Sequence, residues 1–390
     1  MIPNRHPTAA ARPSPFRAAT LGRLVIGSAI LSLSWAGGAA PRPRPPGAAC
    51  AAAPIWGMVG PDRRSVPIAN RLVLYRQFRL GWVRVNTDLP PTPAQGLTSL
   101  DDIGDFHSAG LRVLLTVADP ALEHDGAPPQ AYQDFAAALR ATLLQYRPAM
   151  IAVENEADGA SDTASAGAYL GELKIGCAVA HAAGVLCADS GMTSKMMIAL
   201  LVHEYLLHGD AAKADHYAHF LRLWYPMHFQ ADPTGPDLEA LLQRAGVRRA
   251  RAILADLRRA GADRANLHWY VRPSGAATPQ DQADLLRQIV QMMRTVSGLP
   301  VAAGEVGLDK PRGDDRTVDP VPFVAMMNQL ADLGVAPVIV WNPGTGRFPA
   351  NANSRSLVDA AGNLLPVGSA LVALTAARPA VAAPHGPSCA

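Results

Sequence analysis

The chain is expected to fold as an α/β protein, a (β/α)8 TIM barrel with a long helical insertion between strands 5 and 6. Short apolar runs alternate with helix-length stretches eight times over residues 53–378. The strand-like runs are apolar throughout rather than alternating, the pattern of parallel sheets covered on both faces. No glycine-rich nucleotide fingerprint follows the first run, which lowers the case for an open doubly wound sheet.

In order, 55–59 reads as the first strand, and 68–78 as a helix closed by Gly81. The second strand is 82–85, ending in polar Asn86, Thr87 and Asp88. A short helix over 101–109 stops at Gly110, and 113–117 is the third strand. Tyr132, Phe135, Leu139, Leu143 and Tyr146 recur at the three-to-four spacing of an amphipathic helix. Pro148 ends it, and 150–153 is the fourth strand. A helix over 164–183 ends at Gly184, and 185–188 is the fifth strand.

A mostly helical stretch, 193–265, precedes the sixth strand at 267–271. Thr278-Pro279 reads as an N-cap with proline at the first helical position, opening a helix closed by Gly298. The seventh strand is 300–303 and its helix 321–333; the eighth strand is 338–340 and a last helix is 369–377.

The amino terminus differs from this body. Its first fifty residues hold six arginines and no acidic residue; without them the chain has 29 basic against 32 acidic residues and its net charge moves from +3 to −3. The basic balance therefore belongs to the leader, and nothing in it argues for nucleic acid. A basic flank to Arg23, an apolar run over 24–36 and small residues near Ala40 form the anatomy of a secretory signal peptide. That run is shorter than the roughly 20 apolar residues of a spanning helix. The expected organisation is signal peptide 1–40, Pro/Arg/Ala-rich linker 41–52, barrel 53–378 and tail 379–390, in a secreted or periplasmic protein without stable membrane association. Four cysteines permit three connectivities; Cys50–Cys389 and Cys177–Cys187 are the expected pairs.

In such a barrel the residues at strand ends converge on one pocket. These are Arg84, Asn86 and Asp88 (strand 2), Asn155 and Glu156 (4), Asp189 (5), His268 and Tyr270 (6), Glu305 (7), and Trp341 with Asn342 (8). Two carboxyls across a sugar-sized gap are the machinery of glycosidic bond cleavage. Glu154, two residues before Glu156, faces the same way along an ideal strand and is the alternative acid.

Asn155-Glu156, Gly304-Glu-Val-Gly307, Val83-Arg-Val85, His268-Trp-Tyr270 and Trp341, in this strand order, resemble the clan of retaining (β/α)8-barrel glycoside hydrolases that includes families 5 and 39. The resemblance runs over nearly the whole of 53–378. Ala157-Asp158 after the glutamate is closer to family 39, and Asp119 stands where many family 5 members carry a histidine. It implies Glu156 as general acid/base, Glu305 as nucleophile, Asn155 on the sugar 2-hydroxyl, Arg84 and Tyr270 holding Glu305 ionised, and Trp341 as a sugar platform. His268 completes the substrate-binding set.

The implied activity is double-displacement cleavage of a β-linked glycan, with a carbohydrate substrate and no cofactor or metal. The competing expectation is a non-catalytic glycan-binding barrel. A metal-dependent hydrolase would want several histidines at strand ends, and only His268 qualifies. His203 and His208 are five apart, on different faces of a helix, so they do not make a zinc-protease pair. The aromatic cluster from His216 to His228 is read as packing or a sugar-stacking wall, and the arginines of 248–259 as an exposed helix face.

Overall fold

The computed structural model describes residues 55–378 except 62, 64–65, 92–97, 123, 159–164, 226–245, 273–276, 309–318, 343–356 and 360–362. The expected leader, linker, tail and Cys50–Cys389 pair lie outside them. Among the described residues no helix is long and apolar enough to cross a membrane.

Eight parallel strands form one sheet: β1 (Trp56–Val59), β2 (Trp82–Asp88), β3 (Arg112–Ala118), β4 (Met150–Val153), β5 (Leu186–Ala188), β6 (Ala265–Val271), β7 (Val301–Leu308) and β8 (Val338–Trp341). Their order is β5-β4-β3-β2-β1-β8-β7-β6. Parallel bridges from Ala188 to Arg264 and from Met192 to Leu267 link β5 to β6. The seam is also sewn by the amides of Met192 and His268, which donate to the carbonyls of Asn266 (3.1 Å) and Met192 (2.9 Å). The fold is the expected (β/α)8 barrel.

The connecting helices are α1 (Ile68–Gln77), α2 (Ile103–Ser108), α3 (Pro129–Tyr146), α4 (Ala166–Ala182), α5 (Ser194–Leu207), α6 (Ala211–Trp224), α7 (Val247–Asp256), α8 (Pro279–Ser297), α9 (Val321–Asp332) and α10 (Pro366–Ala377). The insertion between β5 and β6 thus includes α5, α6 and α7. Thr278 caps α8 in a capping box with Asp281, as the Thr-Pro signal implied. The Cys177–Cys187 disulfide joins α4 to β5 (Cα–Cα 5.3 Å).

Two apolar layers explain the uniformly apolar strands. Val83, Val85, Ile151, Val153, Leu267, Trp269, Val301 and Ala303 face the helices in the large outer core. Their neighbours Val59, Trp82, Leu114, Met150, Ala152, Ala188, Ala302 and Ile339 fill the barrel lumen. Strand alternation then carries the lumen-facing row upward on β2 from Trp82 to Arg84 and Asn86, and on β6 from Asn266 to His268 and Tyr270.

β2 and β7 run further than apolar composition indicated, to Asp88 and Leu308 instead of Val85 and Ala303. Ladder hydrogen bonds join backbones, so polar side chains at a barrel mouth do not end a strand. β7 also contains a bulge, with register slipping between Ala303 and Val306 against β8 and between Leu267 and His268 against β6.

Candidate active site

The bulge decides where Glu305 points. Strict alternation would place it on the helix side with Val301 and Ala303. Since Val306 rejoins the outer core, Gly304 and Glu305 together occupy the inner side, and the carboxylate enters the lumen. Gly304 has no room for a side chain: a Cβ there would stand 2.6 Å from Asn266 Oδ1. Its amide donates to that same oxygen at 2.7 Å.

Arg84, 1% exposed, is the hub. Its Nε donates to Thr116 Oγ1 (2.9 Å) and Asn86 Oδ1 (3.0 Å). Its Nη1 donates to the Gly304 carbonyl (2.9 Å) and Glu305 Oε2 (3.2 Å), and Nη2 donates to Asn155 Oδ1. Tyr270 donates its hydroxyl to Glu305 Oε1. Each Glu305 oxygen therefore has one donor, and the buried guanidinium meets a charge partner, as a buried charge requires.

Glu156 stands on a different kind of support. β4 ends at Val153, and both Glu154 and Glu156 adopt left-handed backbone, φ 66° and 56°. Such conformations cost non-glycine residues of order 1–3 kcal/mol and persist only where the surroundings impose them. Here the Glu154 amide donates to Val117 O (2.7 Å) and the Glu156 amide to Ser190 O (3.1 Å).

The Glu154 side chain accepts from the Asp119 amide at 2.9 Å, whereas Glu156 Oε1 meets His268 Nδ1 at 2.9 Å. The two glutamates thus do different things. The ideal-strand argument that paired them fails because the strand has already ended.

Nε2 of His268 lies 3.4 Å from Arg84 Nη1. Both hydrogens of that Nη1 serve the Gly304 carbonyl and Glu305 Oε2, so the imidazole is wedged between the guanidinium on its Nε2 side and Glu156 on its Nδ1 side. Gly191, at φ 86°, lets its loop lie flat on the imidazole, since a Cβ there would be 2.2 Å from Nε2. One ligand atom each of Glu156, His268 and Glu305 lie within 4.8 Å of one another. Among the described residues this is the one group suited to a cation. Its imidazole nitrogens already face Glu156 and the positively charged Arg84, so the donor set suits a proton-transfer site better than a metal.

The structure brings Glu156, Glu305, Arg84, Asn155, His268 and Tyr270 together, and Trp341 lies half-buried on the β8 side against the lumen cluster. Asn155 is exposed at the mouth, with its amide oxygen held by Arg84.

Two other expected pocket residues serve the fold instead. Asp189 is buried in the β5–β6 seam, accepting from the Asn266 amide (2.6 Å). Burial pushes its carboxyl up to about 7, against the opposing amide donations from Asn266 and Gly191. Asn342 is fully buried and accepts from the Leu357 amide at 3.2 Å, pinning the chain after β8.

Tyr217, Phe220 and Trp224 are buried on α6, with ring pairs continuing to Trp269 at 6.0 Å. That part of the aromatic cluster is packing; His228 lies outside the described residues. The arginine face is exposed only in part. Arg251 pairs with Glu204, and Arg249 donates to the Ala157 carbonyl beside Glu156.

The sequence did not reveal which residues hold the Glu156 loop, although Asp158 after the glutamate and Arg249 in the arginine face stand out in it for other reasons. Those that hold it are Ser190, Thr193, Asp158 and Arg249, together with Thr116 under Arg84. Asp158, two positions past Glu156, was the one local signal available.

No family model matches the chain, and no curated protein matches it in sequence. Solved structures do match. A psychrophilic glycoside hydrolase family 10 endo-β-1,4-xylanase aligns over 82% of this chain and 96% of its own, with TM-score 0.52 and 12% identity. A glucosidase from Croceicoccus marinus aligns over 83% and 67%, with TM-score 0.51 and 8% identity.

A family 39 glycoside hydrolase from Bacteroides cellulosilyticus WH2 aligns over 83% of this chain at TM-score 0.49 and 12% identity; the chain spans 63% of that protein's length. At these identities the likeness is one of fold: the chain shares the (β/α)8 barrel found in glycoside hydrolases.

Proposed function

We propose that this protein is an exported retaining glycoside hydrolase that cleaves O-glycosidic bonds of a β-linked glycan by double displacement. The observation that carries the reading is the facing of Glu156 and Glu305 over one mouth, with carboxylate oxygens within 4.8 Å. That approach favours the retaining separation of about 5–5.5 Å over the roughly 6.5–9.5 Å that leaves room for a water in inverting enzymes. Export rests on the leader's signal-peptide anatomy.

Each carboxyl has the setting its role needs. Glu305, with a side chain 11% exposed, lies between the Arg84 guanidinium and the Tyr270 hydroxyl, which donate to its two oxygens and hold the carboxyl group in place for attack. Glu156, 35% exposed, is open to the mouth. His268 Nδ1 meets its Oε1 at 2.9 Å and orients the carboxyl that exchanges the proton.

In the first step Glu305 bonds to the anomeric carbon while the bond to the leaving oxygen breaks, and that oxygen takes the Glu156 proton. In the second, Glu156 takes a proton from water, whose oxygen bonds to the anomeric carbon as the ester to Glu305 breaks. Asn155, anchored by Arg84, presents its amide to the 2-hydroxyl, and Trp341 offers a flat face to the ring.

The test is a screen of aryl β-glycosides and polysaccharides with the product anomer followed by NMR, and trapping of the nucleophile with a 2-fluoro glycoside. Retained configuration and label on Glu305 are expected. Binding to polysaccharide arrays with no reducing sugar released over long incubation would replace this reading with that of a glycan-binding barrel.

A further inference from the structure

Glu156 is carried by a loop whose backbone is strained at two positions, so something outside the loop must hold it in register. Its amide donates to the Ser190 carbonyl, and the next amide, of Ala157, donates to Ser190 Oγ at 3.1 Å. The Ala157 carbonyl accepts from Arg249 of α7. These contacts grip the backbone. One side chain of the loop reaches further: Asp158 Oδ2 accepts both the Thr193 amide and the Thr193 hydroxyl, each at 2.9 Å.

Thr193 is the N-cap residue of α5, whose first turns from Ser194 to Val202 are almost wholly buried. A helix amino end carries amides without intrahelical partners, so an acceptor oxygen is suited to it. The same β5–α5 loop presses Gly191 on the His268 ring, and Ser194 Oγ donates to the His268 carbonyl at 3.2 Å and accepts from the Tyr270 amide at 2.9 Å. One bracket therefore registers Glu156 against the imidazole that hydrogen-bonds it.

We propose that Asp158 is a positioning residue for the acid/base, latching the loop that carries Glu156 onto the amino end of α5. The inference rests on the reading of Glu156 as acid/base. Asp158 Oδ1 is buried with no hydrogen-bond partner among the described residues, so only the Oδ2 side of the carboxyl is engaged. Burial raises the Asp158 carboxyl above the ordinary carboxylate range; the Thr193 donations oppose this, and the charge of Glu156 adds to it. An amide keeps the acceptor oxygen that Thr193 needs, so the latch depends on the acceptor and not on the charge.

A misplaced acid harms bond cleavage where the leaving group needs a proton and spares it where the leaving group departs unaided. The experiment compares kcat/KM for phenyl and 2,4-dinitrophenyl β-glycosides of the sugar that the wild-type protein cleaves. For Asp158→Ala the phenyl glycoside should lose about 100-fold, the scale of a small misplacement of a catalytic group, and the dinitrophenyl glycoside less than about fivefold.

Asp158→Asn should stay within about threefold of wild type on both substrates, because its Oδ1 can replace the acceptor. If Asp158→Ala does not fold, Thr193→Ala, which removes one of the two donors, should show the same selectivity at about tenfold. Equal losses on both glycosides would overturn the proposal, as would full activity of the alanine variant or an asparagine variant as weak as alanine. Inactivity of the wild-type protein on every glycoside would instead sink the enzymatic reading itself.

Discussion

The two halves of the mouth hold their carboxyls by opposite means. On the β7 side Glu305 sits inside a strand, and a bulge turns it inward between Arg84 and Tyr270. Its position is set by direct partners of its own side chain. On the β4 side Glu156 stands beyond the strand on left-handed backbone, with His268 as its side-chain anchor and its main chain bracketed by the β5–α5 loop and Arg249. On the function proposed above, the difference fits the two roles. A nucleophile is best held immobile by partners of its side chain. An acid/base that must give up and regain a proton is best left half-open and placed by its backbone.

The comparison breaks most sharply at the carboxyls themselves. Glu305→Gln should lower kcat on every substrate by roughly 10⁴-fold, because no covalent intermediate forms. Glu156→Gln should lose about 10²–10⁴-fold on poor leaving groups and far less on dinitrophenyl glycosides. Losses below tenfold for both variants, measured by steady-state kinetics, would show that the two sides do not differ in this way.

Arg84→Met tests the side-chain-held half. It removes the charge partner of Glu305 and a donor to the Gly304 carbonyl, and breaking a buried pair costs about 3–5 kcal/mol. A loss of unfolding free energy below about 1 kcal/mol, taken from the urea midpoint and its m-value, would argue that Arg84 is not the hub. The Cys177–Cys187 disulfide tests the wall behind the loop-held half. Closing a loop with sequence separation 10 restricts the unfolded chain by roughly 3 kcal/mol. The Cys177→Ala, Cys187→Ala double variant should lose about that much in denaturant titration.

Gly191→Ala would sharpen the bracket. Its Cβ would overlap His268 Nε2 at 2.2 Å on positive-φ backbone. Overpacking of this kind costs about 1–3 kcal/mol, and kcat should fall more than KM rises as the imidazole is displaced from Glu156.

The smallest effect is a slope. Asp189 holds its proton up to about 7 in the folded seam, whereas an unfolded aspartate releases it near pH 4, a value of about 3.9. A raised folded value means full stabilisation below the unfolded range and its loss as pH rises toward 7. Asp189→Asn should flatten the fall in thermal midpoint between pH 4.5 and 7.5; an unchanged slope would show that Asp189 is not the group responsible.

Much of the barrel was legible because it is a local property. The Thr278-Pro279 cap, the Gly110 and Gly184 stops and the apolar runs report short-range physics, and the strand and helix order followed. Strand ends were less legible at β2 and β7, where polar residues continue the ladder. Asp189 and Asn342 looked like pocket residues from their place after a strand, yet both satisfy buried backbone amides. Position along a strand does not reveal whether a polar group meets substrate or an orphaned amide.

By itself the sequence determined the (β/α)8 order, since hydrophobic period and helix signals act within a dozen residues, and it placed two glutamates near strand ends. Only the tertiary structure decided that Glu305 faces inward, that Glu154 turns to Asp119, and that Asp158 reaches Thr193. Those outcomes depend on a bulge, on left-handed backbone and on contacts between segments distant in sequence. Each is imposed by neighbours rather than by the residues themselves, which is why no local pattern encodes them.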